Sequence, residues 1–436
     1  MPWLTETADE ISWERLGRLM AETVAQARRH ICARPRRVLL LPPDITRAHS
    51  GVGRLTEMIY QELAGEADVH VIPTLGQHVP HTADENRRMF GSIPNDRIHA
   101  HDWRDGCVHV GEVPAEFVKQ ACNGVADWPI PIWLNRSLMT EPWDLIVNLG
   151  HVVPHEVLGF ANHNKNYFIG LGGKETICAS HMLAATCGIE NNLGTLVTPT
   201  RACFNKAEHE YLAGLPDLYV QVVMARNARG ELVHTGVFVG DDLETYLQAA
   251  RLSRSQNITV FDEPVDRIVC VMQEDEFVST WVANKAIYRT RMALADGGRL
   301  TIIAPGLKRF GEQPEVDAFI RKYGYCGTPR VTEGYRTNAD MQDLGHATAH
   351  LIHGSSEGRF EIVYAPGHLS QADVEGVNFS YADLGQTLAR YRPERLTPGW
   401  HTLSDGERFF FIPTPSAGLW AAREKLFGRA GGFASE

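Results

Sequence analysis

Arg37-Val38-Leu39-Leu40-Leu41-Pro42-Pro43-Asp44-Ile45-Thr46-Arg47-Ala48-His49-Ser50-Gly51-Val52-Gly53 runs from an apolar stretch through a proline stop into a polar loop. An apolar run without polar alternation predicts a strand buried on both faces, as in a parallel sheet covered by helices. The covering element follows, with helical spacing from about Leu55 to Leu63. A polar loop between a parallel strand and a helix is where open α/β sheets place ligands, because backbone N–H groups and the helix dipole converge there. Asp44 and Arg47 are therefore candidate binding residues, with an Asx-turn and a surface ion pair as the simpler alternative.

The same alternation extends to both sides. Ala8 to Ile31 reads as an amphipathic helix, Asp68 to Ile72 as a strand ending in Gly76-Gln77-His78, and Thr82 to Met89 as a helix. Arg97 to Ala100 and Cys107 to Val113 read as strands. Asp144 to Leu149 is another buried strand, leading into Gly150-His151-Val152-Val153-Pro154-His155. Two β-rich runs between Leu218 and Gly240 flank Asn227-Ala228-Arg229-Gly230 and predict a hairpin. Leu243 to Leu252 is a helix and Asn257 to Phe261 a short strand, after which Asp262-Glu263-Pro264 is the best linker. The alternation restarts with strands Arg267 to Met272 and Arg299 to Ala304 around a helix from Thr280 to Ala295. Met341 to His353 is helical and carries His346, His350 and His353 on one face, a spacing able to hold a metal. Strand Arg408 to Ile412 and an amphipathic helix from about Ala417 to Phe427 follow. The expected fold is α/β, with two domains of mainly parallel sheet, 1–264 and 265–436. The last helix is a candidate to pack back on the first domain.

With 436 residues, 44% hydrophobic and 22% charged, the chain has material for two cored domains. A net charge of -11 disfavours nucleic acid or an anionic membrane, both of which attract basic patches. A small molecule is the expected partner, and self-association into a homo-oligomer stays open. The eight cysteines form no C-x-x-C pair and read as reduced thiols of a cytoplasmic protein. No apolar run approaches the ~20 residues that span a bilayer.

The chemistry-bearing stretch is Asn162-His163-Asn164-Lys165-Asn166, followed by Gly170-Leu171-Gly172-Gly173-Lys174 and by Glu175-Thr176-Ile177 through Ser180-His181. If extended, its first part places three amides on one side and two bases, His163 and Lys165, on the other. Amides suit a substrate with several hydroxyls, such as a sugar acid. The glycine turn is either an ordinary turn or a phosphate cradle whose lysine adds charge, without the spacing of a Walker A loop. An arginine fork for a carboxylate, paired bases and metal-capable histidines together suit chemistry at the carbon next to a carboxylate.

Asp44-Ile45-Thr46-Arg47, Gly76-Gln77-His78, Gly172-Gly173-Lys174, Glu175-Thr176-Ile177 with Ser180-His181, and Asn284-Lys285 before Asp296-Gly297-Gly298 resemble the ordered motifs of the nickel-dependent lactate racemase family. The likeness runs from about residue 37 to 305. It implies two α/β domains with the active site in the cleft between them, and racemisation or 2-epimerisation of a 2-hydroxy acid. The chemistry it implies is hydride transfer on a nickel pincer nucleotide attached to a lysine. By the same resemblance, Asp44 and Thr46 contact the nucleotide, Lys174 attaches it and His181 ligates the metal. Arg47 and Lys285 hold the substrate, and His78 is one catalytic base. The chain departs from the family at two points. Glu175-Thr176-Ile177 follows Lys174 directly, and Lys165 stands where the family has its second histidine, with His163 two residues before it. The second base is therefore Lys165 or His163. A pincer-free alternative is zinc or another divalent ion on His181 with His151, His155 or His163, serving a lyase, aldolase or epimerase. A non-catalytic sugar-acid or nucleotide sensor is the third reading.

Overall fold

The computed structural model describes residues 1–227 and 229–427. They divide into two compact units, one of residues 1–180 with 194–257, the other of 181–193 with the chain from 258 onward. The division passes through the helix Lys174–Thr186.

In the first unit, six strands lie in the order Leu4–Thr7, Leu232–Gly240, Asp217–Arg226, Leu145–His151, Arg37–Leu41, Asp68–Val71. The last four are mutually parallel, and the first two pair antiparallel. The opening apolar run is buried from Val38 to Leu41, and Val38 and Leu40 on one face pack with the helices Trp13–His30 and Val52–Leu63 into one core. Helix Trp13–His30 begins where Ser12 Oγ accepts the Arg15 N–H, and it buries Leu16, Leu19, Met20, Val24 and Ala27 at helical spacing. Strand Arg37–Leu41 has a neighbour reached by each of two crossover directions, Asp68–Val71 on one side and Leu145–His151 on the other. That makes its carboxyl end a topological switch point, where loops diverge and leave room for a ligand.

The second unit holds a sheet in the order Ser380–Tyr381, Glu361–Pro366, Leu294–Ala304, Val265–Val271, Arg408–Ile412, Gly399–Thr402, parallel except for its last pair. Its segment 181–193 is fixed by charge. Glu190 accepts hydrogen bonds from Arg291 Nε at 2.9 Å and from Arg359, and the Arg291 side chain is 2% exposed.

The α/β class and the mainly parallel sheets are as the sequence predicts. Several segments differ, among them the expected helix Met341–His353, which breaks at Leu344 into Ala339–Asp343 and Gly345–His353. Leu4–Thr7 is an edge strand, too short to show alternation. Residues expected as a strand at Arg97–Ala100 instead give a 3-10 turn Asn95–Arg97 and one isolated bridge from Ile98 to Val71. The expected helix Thr280–Ala295 breaks at Asn284 into Thr280–Ala283 and Lys285–Thr290, and Leu294 already opens the long strand. Leu419–Ala422 is a strand, parallel to Ile258–Phe261, and only Arg423–Phe427 is helical. Among the described residues no helix is long and apolar enough to cross a membrane.

Candidate active site at a strand switch point

Three loops meet at the carboxyl edge of Arg37–Leu41, Asp68–Val71 and Leu145–His151. Pro43 bridges Thr74, Thr74 Oγ1 donates to the Pro42 carbonyl at 3.1 Å, and Gly76 N–H donates to the Gly170 carbonyl at 2.9 Å. The backbone thus ties the Asp44 loop, the His78 loop and the turn after Lys165 into one surface. His81 supports it, its Nε2 accepting the Ile45 N–H at 2.9 Å.

Asp44 is buried and His78 Nδ1 is hydrogen bonded to its Oδ2, while Thr46 Oγ1 donates to its Oδ1 at 2.6 Å. Burial pushes the Asp44 carboxyl up, but the His78 bond and charge, with Thr46 and Arg47, outweigh it and bring the pKa down to about 2. A fixed carboxylate on one ring nitrogen orients the imidazole and leaves Nε2 to meet a substrate, as expected of a general base. The His78 side chain is 55% exposed, so the pair is anchored inside and presented outside. Asp44 and Thr46, which the family resemblance gives to a nucleotide, here serve His78.

Lys165 is half-buried and its pKa is lowered to about 8, first by burial and then by the Arg47 charge, with Asp44 and Glu156 acting against the shift. Arg47 is itself lowered by burial and faces the same two acids. The segment before Lys165 is not extended. Asn162 and His163 have positive φ, at 68° and 58°, and Asn166–Gly170 forms a π-helical turn. All three amides turn into the protein. Asn162 Nδ2 donates to Gln221 Oε1 at 2.7 Å, Asn166 Nδ2 to Asn148 Oδ1 at 2.6 Å, and Asn164 Nδ2 to Glu208 Oε2 at 2.8 Å. They build the loop and are not presented to a substrate's hydroxyls. A guanidinium with no exposed surface, Arg201, completes the clamp. It donates to Asn164 Oδ1, to the Phe160 carbonyl at 2.8 Å, to the Asn162 carbonyl at 3.3 Å and to Tyr246 Oη at 3.1 Å. Gly150 makes the space, since a Cβ there would lie 2.1 Å from Asn162 Oδ1. His163 stacks on Tyr219 at 4.1 Å, and burial followed by the Arg201 charge holds its pKa well below the ordinary histidine value. It is a core ring. Of the two bases in this segment, the structure brings only Lys165 to the edge group.

The glycine turn is filled by protein. Gly173 N–H donates to the Trp133 carbonyl at 2.8 Å and Lys174 N–H to the Trp103 carbonyl at 3.0 Å. A Cβ on Gly173 would lie 2.6 Å from Trp133 Cβ, and one on Gly172 2.0 Å from the Phe168 carbonyl oxygen. His101 Nε2 reaches the Gly172 carbonyl at 3.1 Å and its Nδ1 meets Asn135 Nδ2. The N–H groups that a phosphate cradle would use are taken, and the glycines serve close approach of backbone to tryptophan.

His151 is buried at the end of its strand, with its ring 6.2 Å from that of His49. His155 Nδ1 accepts the Val157 N–H at 3.2 Å. Among the described residues no three His, Cys, Asp or Glu side chains gather into a metal-holding group. His181 and Lys285 belong to the second unit, His181 in the segment 181–193 and Lys285 at the start of Lys285–Thr290. There too the three histidines of Gly345–His353 are buried. His350 is bonded to Tyr288 Oη at 2.7 Å and Tyr325 Oη at 3.0 Å, and its ring lies 4.3 Å from Trp281.

Arg201, Glu208, Gln221 and Glu156 escape the sequence reading. A charged residue inside a helix that opens with Thr198-Pro199 and continues Ala202-Cys203-Phe204 is the sole hint for Arg201.

Fold and site together define an α/β protein with a cationic, histidine-bearing site at a parallel-sheet switch point of its first unit. Residues 12–192 match the family model of the lactate racemase N-terminal domain, so the resemblance carried by the motifs is shown for this part of the chain. No curated protein matches the sequence. Among solved structures, a protein from Thermotoga maritima is 23% identical with a TM-score of 0.79, covering 96% of this chain and 100% of that one. The lactate racemase apoprotein from Thermoanaerobacterium thermosaccharolyticum is 14% identical with a TM-score of 0.68, covering 96% and 94%. Both likenesses show the fold.

Proposed function

We propose that the protein is an isomerase that racemises or 2-epimerises a 2-hydroxy acid. The observation that carries this is the joining, on one sheet edge, of an Asp44-oriented His78, the half-buried Arg47 and a Lys165 with a pKa near 8. Arg47 offers a planar fork to the carboxylate. Lys165 and His78 are the two groups that take and return a proton at C2, and the positive charge of Arg47 favours the enolate-like charge that develops next to the carboxylate. The burial that lowers Lys165 also suits it to base work near neutral pH.

The lactate racemase family is nickel-dependent. Here the backbone donors of the glycine turn are engaged by Trp133 and Trp103, and Asp44 and Thr46 are bonded to each other, so this donor set does not fit a pincer nucleotide's phosphate at Lys174. No step is routed through it. For a zinc-type site on His181 with His151, His155 or His163, the candidate His163 is a core ring and one nitrogen of His155 is held by backbone, so the reading draws no support from these two. The case for a sugar acid weakens as well, because the asparagine amides are spent in the loop.

The test is isomerisation of a panel of enantiopure 2-hydroxy acids, followed by chiral chromatography in deuterated water. Isomerisation with deuterium entering C2, lost in Arg47→Met and His78→Ala, is expected. Retention of the original hydrogen at C2 would overturn the two-base step, and no isomerisation of any member would overturn the assignment.

A further inference from the structure

Lys165 has properties that base catalysis does not require. It stands between two rigid supports, the clamped loop through Asn164 and the π-helical turn Asn166–Gly170, whose last carbonyl is bonded to Gly76 of the His78 loop. Its ammonium faces the cations Arg47 and Arg201 and the acids Asp44 and Glu156. Hydrogen bonds on both sides thus hold its backbone, the Gly76–Gly170 bond ties its turn to the His78 loop, and the charges of Arg47 and of Asp44, the partner of His78, act on its ammonium. A lysine held near another cation in a poorly solvated place is an amine nucleophile toward carbonyls. The acid that Arg47 would hold also has an oxidised counterpart, the 2-oxo acid, with its carbonyl on the carbon next to the carboxylate.

We propose that Lys165 is a carbonyl nucleophile that condenses with a 2-oxo acid held through its carboxylate by Arg47. The Nζ lone pair forms a bond to C2, and one N–H proton passes from the nitrogen to the former carbonyl oxygen to give a neutral carbinolamine. The C2–O bond then breaks, the oxygen leaves as water with a second proton, and the nitrogen lone pair closes the C=N bond. Neutral amine, oxo acid and one proton give a protonated Schiff base and one water, with no change of oxidation state. His78, through Nε2, is the group placed to deliver the proton to the departing oxygen. The inference rests on the reading of this edge as a carboxylate site, but not on isomerase activity.

The experiment incubates the full chain with pyruvate and cyanoborohydride, then measures intact mass and maps the modified peptide. A saturable reduced adduct on Lys165 is expected, absent in Lys165→Met, present in Lys174→Ala, and formed about tenfold or more slowly in Arg47→Met. Melting of each variant establishes that it is folded. An adduct shared evenly among lysines, or one unchanged in Lys165→Met, would overturn the proposal. So would pyruvate that raises the melting temperature through Arg47 yet leaves Lys165 unmodified, and that result would leave the carboxylate site standing. An adduct on Lys165 in a protein that isomerises no 2-hydroxy acid would uphold the Schiff base while the isomerase reading fails.

Discussion

At Lys165 the proposed chemistry and stability pull in opposite directions. A free lysine titrates near 10.4, and here the pKa falls to about 8, so the folded state disfavours the charged form. Below about pH 8 the side chain is charged in both states and the whole penalty is present. It fades as pH rises from about 8 towards 10.4. Lys165→Met is therefore expected to stabilise the fold at pH 7 by on the order of 1–3 kcal/mol in urea unfolding, with the gain shrinking above pH 8 and catalysis lost. Asp44 has the opposite sign. Its lowered pKa contributes stability that is complete above about pH 4 and disappears as pH falls through about 2. Asp44→Asn keeps the shape but loses the charge that orients His78. It should reduce kcat by roughly 10²-fold or more with little change in KM, read by steady-state kinetics on the substrate found. Arg201→Met leaves the Phe160 and Asn162 carbonyls without their buried donor, and it is expected to destabilise the fold by about 3–5 kcal/mol in the same urea assay.

Among the elements, the glycine turn before helix Lys174–Thr186 separates packing from ligand binding. Gly173→Ala drives a methyl against Trp133 and is expected to lower stability by about 1–3 kcal/mol, whereas Gly65→Ala, with nothing within 4 Å, should leave the melting temperature nearly unchanged. The same contrast shows what the sequence made legible. The run Arg37 to Leu41, the loop after it and the strand Cys107–Val113 announce themselves by local pattern, and the structure has them where that pattern puts them. His78, Arg47 and Lys165 were readable as residue types at strand ends. What the loop around Lys165 does with its asparagines was not, because its left-handed residues and its partners Arg201, Glu208 and Gln221 lie tens of residues away in the chain. Alternation along the chain has meaning for a substrate only in an extended segment, and long-range hydrogen bonds make a folded one. Similarly, the glycine triplet looked like a cradle because sequence cannot show that Trp103 and Trp133 already occupy its donors.

On the scale of the whole molecule, Glu190 is where the second unit holds a segment that the chain supplies early. Burial raises the Glu190 carboxyl, but Arg291 and Arg359 outweigh it and lower the pKa, so its contribution is present at neutral pH and fades in acid. Glu190→Gln should lower the urea midpoint at pH 7, with the difference from the wild type closing as pH drops below 4. The segment also bears on biosynthesis. A ribosome releases residues 181–193 about a hundred residues before Arg291, which Glu190 needs. The first unit can assemble around its sheet while this largely helical segment waits, and a nascent chain stalled before Arg291 would carry it undocked. Chaperone capture and protease nicking should then concentrate on thirteen residues in mid-chain, and not on the growing end.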